Sequence, residues 1–413
     1  MAQLTDDCFA FGGALLSLDH AQARIAARFT AVADVERVAV GLGAGRILAH
    51  DVTAPVDLPP QANSAVDGYA FRHADLVAGG PTRLDVVGRT AAGQAPARVP
   101  PGAASRIFTG ATMPDGLDTV MMQEDCVAAD GRVTLPAGLR LGANARPAGE
   151  DIARGSLALA AGRRLMPPDL ALLAGMGLVD VAVRTALRVC VFSTGDELVD
   201  PPAALTPGRI YDANRVMLAA LLRRLGAAVT DGGILPDRAG ETGAALLRAA
   251  AGCDLVITSG GVSTGEEDHV RAAIAACGAL EFWRVAIKPG RPVALGSVGG
   301  VPLLGLPGNP VAALVTFAAL GRPLFDRLAG GVFRPAPMLR AISGFAYRKK
   351  PGRLEYVRVT LDAHGTAHRF AKEGAGIITS LTESDALMAL PEEMTRLAPG
   401  DTAPVIPLGL LHG

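Results

Sequence analysis

The sequence predicts a multidomain protein of the α/β plus β class, built around a parallel, doubly wound α/β domain. The chain has 413 residues, which exceeds the roughly 100–200 residues of a usual single domain. From Leu187 onward, strand-like runs alternate with helix-like runs, a pattern typical of a parallel sheet with crossover helices. Before and after that region, short Val and Leu runs separated by Gly and Pro predict β structure.

The domain boundaries follow changes in this pattern. A helical pattern runs from Asp19 to about Ala54, where Pro55 ends it, and a second one runs from Pro167 to Gly175. After about Gly330 the helical signal vanishes. The predicted domains are a helical hinge and dimerisation domain formed by 19–54 with 154–184, an all-β insert domain at 55–153, the α/β domain at 185–330 and a small C-terminal β domain at 331–413.

Within these domains, individual elements follow from periodicity. The runs LRVCVFS, AAVTDGGIL and DLVITSGG predict buried strands, and helices are expected at Asn214–Leu225 and Val311–Leu320. In the C-terminal domain the strands are expected at LEYVRVTLD, ALMALPEE and TAPVIPLG.

Composition excludes several classes of protein. A formal net charge of −1 provides no basic field for nucleic acid. Five cysteines, an odd number without a Cys-x-x-Cys pair, predict reduced core residues in a cytoplasmic protein. The first residues do not resemble a signal peptide, and no apolar run reaches the roughly 18 residues of a membrane span.

The loops that follow the predicted strands are rich in polar and glycine residues. They read STGDEL, LPDR, SGGVSTGEED, IKPGRP and LPGNP. Because ligands of open α/β sheets bind at the carboxyl ends of the strands, we expect these loops to converge on one crevice.

The SGGVSTGEED loop has the composition of a phosphate-binding loop. Gly260, Gly261 and Gly265 permit positive φ angles and close approach of backbone N–H groups, and Ser259 and Ser263 lie between them. We therefore expect a phosphate or pyrophosphate ligand here. The alternative, glycine turns that only close the edge of the sheet, stays open.

Three acidic residues, Glu197, Asp237 and Asp268, follow different strands of this sheet. Like charges about 4 Å apart repel by about 4 kcal/mol at an effective dielectric constant of about 20, so a cation is expected among them. Mg²⁺ fits better than zinc, because the seven histidines form no cluster with cysteine at ligand spacing. A helix N-cap or a solvated surface position is the alternative for each acid, above all for Asp237.

Two further loops supply cations and rigid turns. Lys288 and Arg291 lie in a Pro-Gly loop, which presents two cations to an anion, and Arg284 adds a third candidate whose alternative is a surface ion pair. The LPGNP loop fixes the backbone around Gly308 and Asn309 ahead of a helix, with a stiff turn lacking ligand contact as its alternative.

Seven motifs in order carry a family resemblance from about Asp19 to Leu320. They are NSAVDGYAF, IFTGATMP, GEDI, STGDEL, SGGVSTGEEDHV, IKPGRP and GLPGNPVAAL, and together they resemble the molybdopterin molybdenumtransferases, that is, bacterial MoeA and the E domain of gephyrin. The resemblance implies that adenylylated molybdopterin and molybdate react, with Mg²⁺, to give molybdenum cofactor and AMP. It also implies an elongated homodimer of four-domain subunits.

The loops and the resemblance together give the candidate site. The implied catalytic residues are Asp67, Glu197, Asp237, Asp268 and Lys288, with Glu197 and Asp268 as metal ligands. The implied substrate-binding residues are Thr109, Asp151, Ser259, Gly260, Gly261, Ser263, Gly265, Arg284, Arg291, Pro307, Gly308, Asn309 and Pro310, with Arg353 and Ser380 on looser motifs.

These residues suggest a mechanism. Glu197 and Asp268 would hold Mg²⁺ on the pyrophosphate, and Lys288 would neutralise charge on the leaving AMP. Asp67 and Asp151 come from the insert and its hinge, so the resemblance implies that the insert of one chain covers the sheet of its partner.

Three departures and two competing hypotheses complete the sequence evidence. Val66 stands where the family commonly has methionine, and Arg284 and Arg291 stand where lysine is common, which preserves the charge. A molybdopterin adenylyltransferase-like enzyme shares the glycine loop, but the DGYA insert argues against it. A non-catalytic scaffold is the second alternative, and contact with the adenylyltransferase as a partner stays open.

Overall fold

The computed structural model describes residues 15–96, 98–236, 238–262 and 269–411. Four predicted site residues, Asp237, Ser263, Gly265 and Asp268, lie outside these described residues, and so does Cys8. Within the described ranges, no helix is long and apolar enough to cross a membrane.

The first segment contains one helix and two strands: α1 (Leu18–Arg28), β1 (Val35–Ala39) and β2 (Val52–Thr53). The Ser17 side chain accepts a hydrogen bond from the His20 N–H at the start of α1, and Phe29 ends the helix in an extended conformation. The predicted helical stretch from Asp19 to Ala54 is therefore wrong beyond Arg28. Residues 35–39 instead form β1, because they pair with residues 180–184, which lie far away in the sequence.

The predicted all-β insert is confirmed. Gly68–Phe71 lies inside a six-stranded sheet, where Ala70 and Phe71 point to opposite faces and pack into two separate hydrophobic clusters. The strands of the insert are β3 (Asn63–Ser64), β4 (Gly68–Phe71), β5 (Thr82–Thr90), β6 (Ala103–Ile107), β7 (Thr119–Met122), β8 (Val127–Ala129), β9 (Arg132–Leu135) and β10 (Ala145–Arg146).

The chain then returns to the first segment. β11 (Leu157–Leu159) pairs with β2, and β12 (Asp180–Arg184) pairs antiparallel with β1. Between them lies the predicted helix, α2 (Pro167–Gly175), whose Leu173 is fully buried in the core of this region. The hinge thus consists of two separate stretches of chain held together by pairing between strands.

The central α/β region is doubly wound, as predicted. One face of its sheet is covered by α1, α3, α6 and α7, and the other by α4 and α5. Its elements are β13 (Arg188–Thr194), β14 (Leu198–Val199), β15 (Ile210–Tyr211), α3 (Asn214–Arg224), β16 (Ala228–Leu235), α4 (Ala239–Ala250), β17 (Leu255–Ser259), α5 (His269–Cys277), β18 (Gly278–Trp283), β19 (Ile287–Lys288), β20 (Ala294–Val298), β21 (Val301–Leu306), α6 (Pro310–Thr316) and, after a π-helical stretch at Phe317–Gly321, α7 (Arg322–Leu328).

The strand order of this sheet is β16-β13-β17-β21-β20-β18. The first four strands are parallel, as predicted, whereas β20 runs antiparallel to both of its neighbours, β21 and β18, so the sheet as a whole is mixed. The reason is local: Gly299 and Gly300, both at positive φ, make a two-residue turn that can only join antiparallel strands.

The C-terminal domain is a curved β-sheet, as predicted. Its main strands follow the order β24-β25-β22-β28-β26, and β26 pairs back onto β24. The short β19 of the α/β region adds to this sheet by parallel pairing with β24. The elements are β22 (Leu339–Ser343), β23 (Tyr347–Arg348), β24 (Leu354–Leu361), β25 (Thr366–Arg369), α8 (Thr379–Thr382), β26 (Ala386–Leu390), β27 (Arg396–Leu397), β28 (Thr402–Pro407) and α9 (Leu408–Leu411).

Candidate functional site

A cavity of about 630 Å³ lies where the parallel strands β13, β17 and β21 end. We call it the sheet-edge cavity. Eight of the sequence-predicted site residues line it, and three different loops supply them. They are Glu197, Ser259, Gly260, Gly261, Pro307, Gly308, Asn309 and Pro310.

The glycine loop packs tightly against the end of β13. A Cβ atom at Gly260 would lie 2.5 Å from the carbonyl oxygen of Thr194, and the φ of Gly260 is +96°. The Gly260 N–H donates to the carbonyl of Leu306 at 2.9 Å. Glycine is therefore required at position 260, because any side chain would collide with the end of β13. The Gly260 N–H already donates to a protein carbonyl.

Glu197 lies at the mouth of the cavity. Its side chain is exposed and folds back over Gly195, where a Cβ would come within 2.5 Å of Glu197 Oε2. Gly195 therefore leaves the space that this carboxylate occupies.

Asn214, which the sequence analysis did not identify, ties two of the loops together. Its Nδ2 donates to Ser259 Oγ at 2.8 Å and to the Gly308 carbonyl at 2.7 Å. Ser259 Oγ in turn donates to the Pro307 carbonyl at 3.2 Å. The start of α3 thus fixes the ends of β17 and β21 relative to each other.

Several buried polar atoms around this cavity lack a hydrogen-bond partner among the described residues. They are Ser193 Oγ, Thr194 Oγ1 and Asn214 Oδ1, each on a residue that lines the cavity. Buried polar groups are normally paired, so these atoms point to a polar ligand in the cavity.

A charged network supports the loop that carries Glu197. Arg215, nearly buried, donates to Asp212 at 2.8 Å and also contacts Asp200 and Asp231. Burial opposes the charged form of Arg215, but the hydrogen bonds that it donates to Asp212 and Asp231 outweigh this effect and raise the pKa of the guanidinium. The Asp-Ala-Asn sequence before α3 is a helix-start signal that could have drawn attention to Asp212 and Asn214.

A second cavity of about 400 Å³ lies between the α/β region and the C-terminal domain. We call it the basic cavity. Three of its cations, Lys288, Arg291 and Arg353, were predicted from the sequence, whereas Arg358, Arg369 and Lys372 were not. Two carboxylates, Glu355 and Glu373, also line it among the described residues.

One cation of this cavity is poorly compensated. Arg358 is partly buried, and its buried Nε has no hydrogen-bond partner among the described residues. Burial, reinforced by the neighbouring charge of Arg369, lowers the pKa of Arg358. A bound anion would favour the charged form.

The two cavities adjoin each other. Pro292, Pro307 and Asn309 line both of them. One ligand that fills the sheet-edge cavity can therefore reach a second ligand held by the basic cavity.

The structure does not bring every predicted residue to these cavities. In the insert, Asp67 Oδ1 accepts hydrogen bonds from the Thr109 N–H and hydroxyl, both at 2.8 Å, and these bonds lower the pKa of Asp67. These two residues and the exposed Asp151 are not among the described residues that line either cavity.

Two other predicted residues are buried beside the cavities rather than lining them. Arg284 is 4% exposed and has a φ of +102°. Ser380 is fully buried, and its hydroxyl donates to the Ile377 carbonyl at 2.6 Å. Their predicted role in substrate binding stays a prediction.

Within the described ranges, no group of three or more His, Cys, Asp or Glu side chains is placed to hold a metal ion. Glu197 is the predicted metal ligand that the structure describes, and its partner Asp268 lies outside the described residues.

Three family models match the chain in order. They are the MoeA N-terminal region (domain I and II) at residues 16–177, the probable molybdopterin binding domain at 190–327 and the MoeA C-terminal region (domain IV) at 340–408.

Known proteins resemble the chain over nearly its whole length. The molybdopterin molybdenumtransferase of Haemophilus influenzae is 36% identical over 406 residues, covering 97% of this chain and 100% of that protein. Molybdopterin molybdenumtransferase 2 of Mycobacterium tuberculosis is 36% identical over 368 residues, covering 86% of this chain and 91% of that protein. A crystal structure of the molybdopterin biosynthesis MoeA protein of Pyrococcus horikoshii superposes with a TM-score of 0.75 at 31% identity, covering 95% of this chain and 99% of that one.

Replacing Asn214 should loosen the sheet-edge cavity. Asn214→Ala leaves the Gly308 carbonyl and the Ser259 hydroxyl without their amide donor, and we expect it to lower the free energy of unfolding by about 1–3 kcal/mol. Denaturant titration of the full chain measures the change. Gln22→Ala is the matched control, because Gln22 Nε2 makes one hydrogen bond, to the Ala319 carbonyl at 2.9 Å, away from the cavity. Equal losses in the two variants would contradict the linking role of Asn214.

Proposed function

Because this chain belongs to the MoeA family of molybdopterin molybdenumtransferases, we propose that it inserts molybdenum from molybdate into adenylylated molybdopterin and releases AMP, with Mg²⁺ as cofactor. The observation that carries the proposal is the pair of adjoining cavities. Insertion needs two ligands of different chemistry in contact, a nucleotide-bearing pterin and an inorganic oxyanion. We place the enzyme in the cytoplasm, where its substrates would be made.

The sheet-edge cavity suits the adenylylated pterin. Its lining includes the glycine turns and the Ser193 and Thr194 hydroxyls, which have no hydrogen-bond partner among the described residues and which a polar ligand would satisfy. A cavity at the carboxyl ends of parallel strands is the usual binding position in open α/β sheets.

The basic cavity suits molybdate. Cations outnumber carboxylates in its lining, and several are arginines, whose planar guanidinium groups donate two hydrogen bonds to an oxyanion. Molybdate held there would lie beside the shared residues Pro307 and Asn309, within reach of the dithiolene sulfurs of a pterin in the neighbouring cavity.

Glu197 suits a ligand of Mg²⁺. Its carboxylate is exposed at the mouth of the sheet-edge cavity, and oxygen is the donor that Mg²⁺ prefers. Mg²⁺ usually keeps several waters and takes one or two protein carboxylates together with substrate phosphates, which fits Glu197 with Asp268 as the second ligand. When bound, the ion would stabilise negative charge on the pyrophosphate.

Residues in the walls of the sheet-edge cavity would position the substrate. The hydrogen bonds of Asn214 with Ser259 and Gly308 hold the cavity walls at fixed separation, so the phosphoanhydride is oriented before it breaks. Lys288, which lines the basic cavity, would compensate charge that develops on the departing AMP or on the incoming oxyanion.

We further propose a homodimer with shared sites. Asp67 and Thr109 form a rigid hydrogen-bonded pair on the insert, and the cavities of their own chain are lined by other described residues. Covering of the sheet edge by the partner's insert would bring this pair to the substrate and exclude water.

An insertion assay tests the proposal directly. Purified protein, adenylylated molybdopterin, Mg²⁺ and molybdate should yield AMP and active molybdenum cofactor, and tungstate in place of molybdate reports the preference for the metal. Protein that binds the pterin nucleotide but neither releases AMP nor inserts metal would overturn the proposal.

Removing a predicted metal ligand should abolish chemistry without unfolding the chain. Glu197→Ala and Asp268→Ala should each lower Mg²⁺-dependent AMP release by about 100-fold or more, because charge on the pyrophosphate is no longer stabilised. Glu383→Ala, at another exposed acid, is the control for charge loss. Normal AMP release from both variants, with unchanged melting, would exclude this metal site.

Lys288→Ala should weaken oxyanion binding. The variant loses a cation of the basic cavity while Arg291 stays, so we expect the apparent molybdate requirement to rise by about 10–150-fold, with activity recovered at high concentration. Lys350→Ala removes an exposed lysine elsewhere and serves as the control. A Lys288→Ala enzyme with the original molybdate dependence would place this lysine outside the site.

Mixing experiments test the shared site. Asp67→Ala and Glu197→Ala subunits, each inactive alone, should regain about a quarter of wild-type activity after exchange, because half of the dimers are mixed and each carries one intact site. Sedimentation should give a dimer at micromolar concentration. Absence of rescue in a sample shown to contain mixed dimers would place each site within one chain.

A further inference from the structure

A buried carboxylate from the C-terminal domain, Glu355, contacts the cation Lys288. The Glu355 side chain is only 2% exposed, and its Oε2 accepts a hydrogen bond from Lys288 Nζ at 3.0 Å. The Lys288 side chain is half exposed at the basic cavity. Lys288 is therefore already ion-paired before any ligand arrives.

Backbone pairing fixes this contact. β19 pairs in parallel with β24, and the register places Lys288 directly beside Glu355. The two side chains therefore meet because the strands carrying them are neighbours, and not because two flexible surface groups happen to approach.

Other polar groups complete the surroundings of the carboxylate. The Tyr347 hydroxyl donates to the same Oε2 at 3.0 Å, and Arg353 Nη2 lies 3.8 Å from Oε1. Burial and the charge of Glu355 raise the pKa of Tyr347, so the phenol stays a hydrogen-bond donor. Glu355 is thus a buried carboxylate with polar partners in a cavity that is lined mainly by cations.

We infer that Glu355 competes with the bound oxyanion for Lys288 and so limits the affinity of the basic cavity. This inference rests on the proposed function, because it assumes that the basic cavity takes an oxyanion. An anion that binds must draw the Lys288 ammonium away from a fixed carboxylate, which reduces the net free energy of binding.

The test is calorimetric titration of the full-length protein with molybdate alone. Glu355→Gln keeps the shape of the side chain and removes its charge, and we expect molybdate to bind about three- to tenfold more tightly, since Lys288 is released to the ligand. Damage to the fold would weaken binding, so a gain in affinity cannot come from disruption. Equal or weaker binding by a variant that melts normally would overturn the inference.

A double variant isolates the role of Lys288. If Glu355 acts by competing for this lysine, Glu355→Gln should give no gain in a Lys288→Ala background. A gain of the same size in both backgrounds would show that the carboxylate acts by general repulsion, and the inference would be wrong. Glu383→Gln, at an exposed acid that does not line the cavity, is the control and should change affinity less than about twofold.

A second variant covers the case in which Glu355→Gln does not fold. Tyr347→Phe removes one donor from the carboxylate, so Glu355 holds Lys288 more strongly and molybdate should bind about two- to threefold more weakly. Tighter or unchanged binding would contradict the inference.

Binding and turnover also separate this inference from the proposed function. Wild-type insertion activity without the affinity changes would overturn the role of Glu355 alone. Affinity changes as expected, in a protein that inserts no metal, would support the role of Glu355 and overturn the proposed reaction.

Discussion

The arrangement of this molecule depends on the parallel pairing of β13, β17 and β21. Because these neighbouring strands run in the same direction, the loops that leave them open onto one edge of the sheet, although their sequences lie far apart. Gly260 allows two of these strand ends to approach closely, and Asn214 links the second to the third. The sheet-edge cavity follows from that constraint.

This constraint also explains which parts of the site the sequence could predict. Glu197, Ser259 and Pro307 lie at or shortly after the ends of strands that are recognisable from their apolar runs, so one rule about sheet edges was enough to group them. Asn214 and Glu355 could not be found in this way. Their importance lies in contacts with residues distant in the sequence, and a buried glutamate on a strand looks locally like any polar position that alternates with apolar ones.

The errors in the predicted fold have the same origin. The helical prediction for residues 19–54 rests on apolar residues that repeat every three to four positions, yet residues 35–39 pair with a strand that follows the whole insert. The antiparallel pairing of β20 with β21 follows from the Gly299–Gly300 turn that joins them, a feature that the alternation of strands and helices does not reveal. Local patterns thus predicted the buried parallel strands well, whereas partners contributed by distant segments decided the rest.

The position of β19 joins cations from the α/β region and from the C-terminal domain into one unit in the basic cavity. Lys288 follows in sequence from the α/β region, but its backbone is hydrogen-bonded into the C-terminal sheet beside Glu355. Arg353 and Arg358 lie on or next to that same strand, β24, so these cations are held in one rigid unit across the domain boundary. A rotation of the C-terminal domain would therefore carry Lys288 with it and move the cations of the basic cavity relative to the sheet-edge cavity. The shared residues Pro307 and Asn309 belong to the loop between β21 and α6, so the junction of the two cavities is where such a motion would change the distance between them.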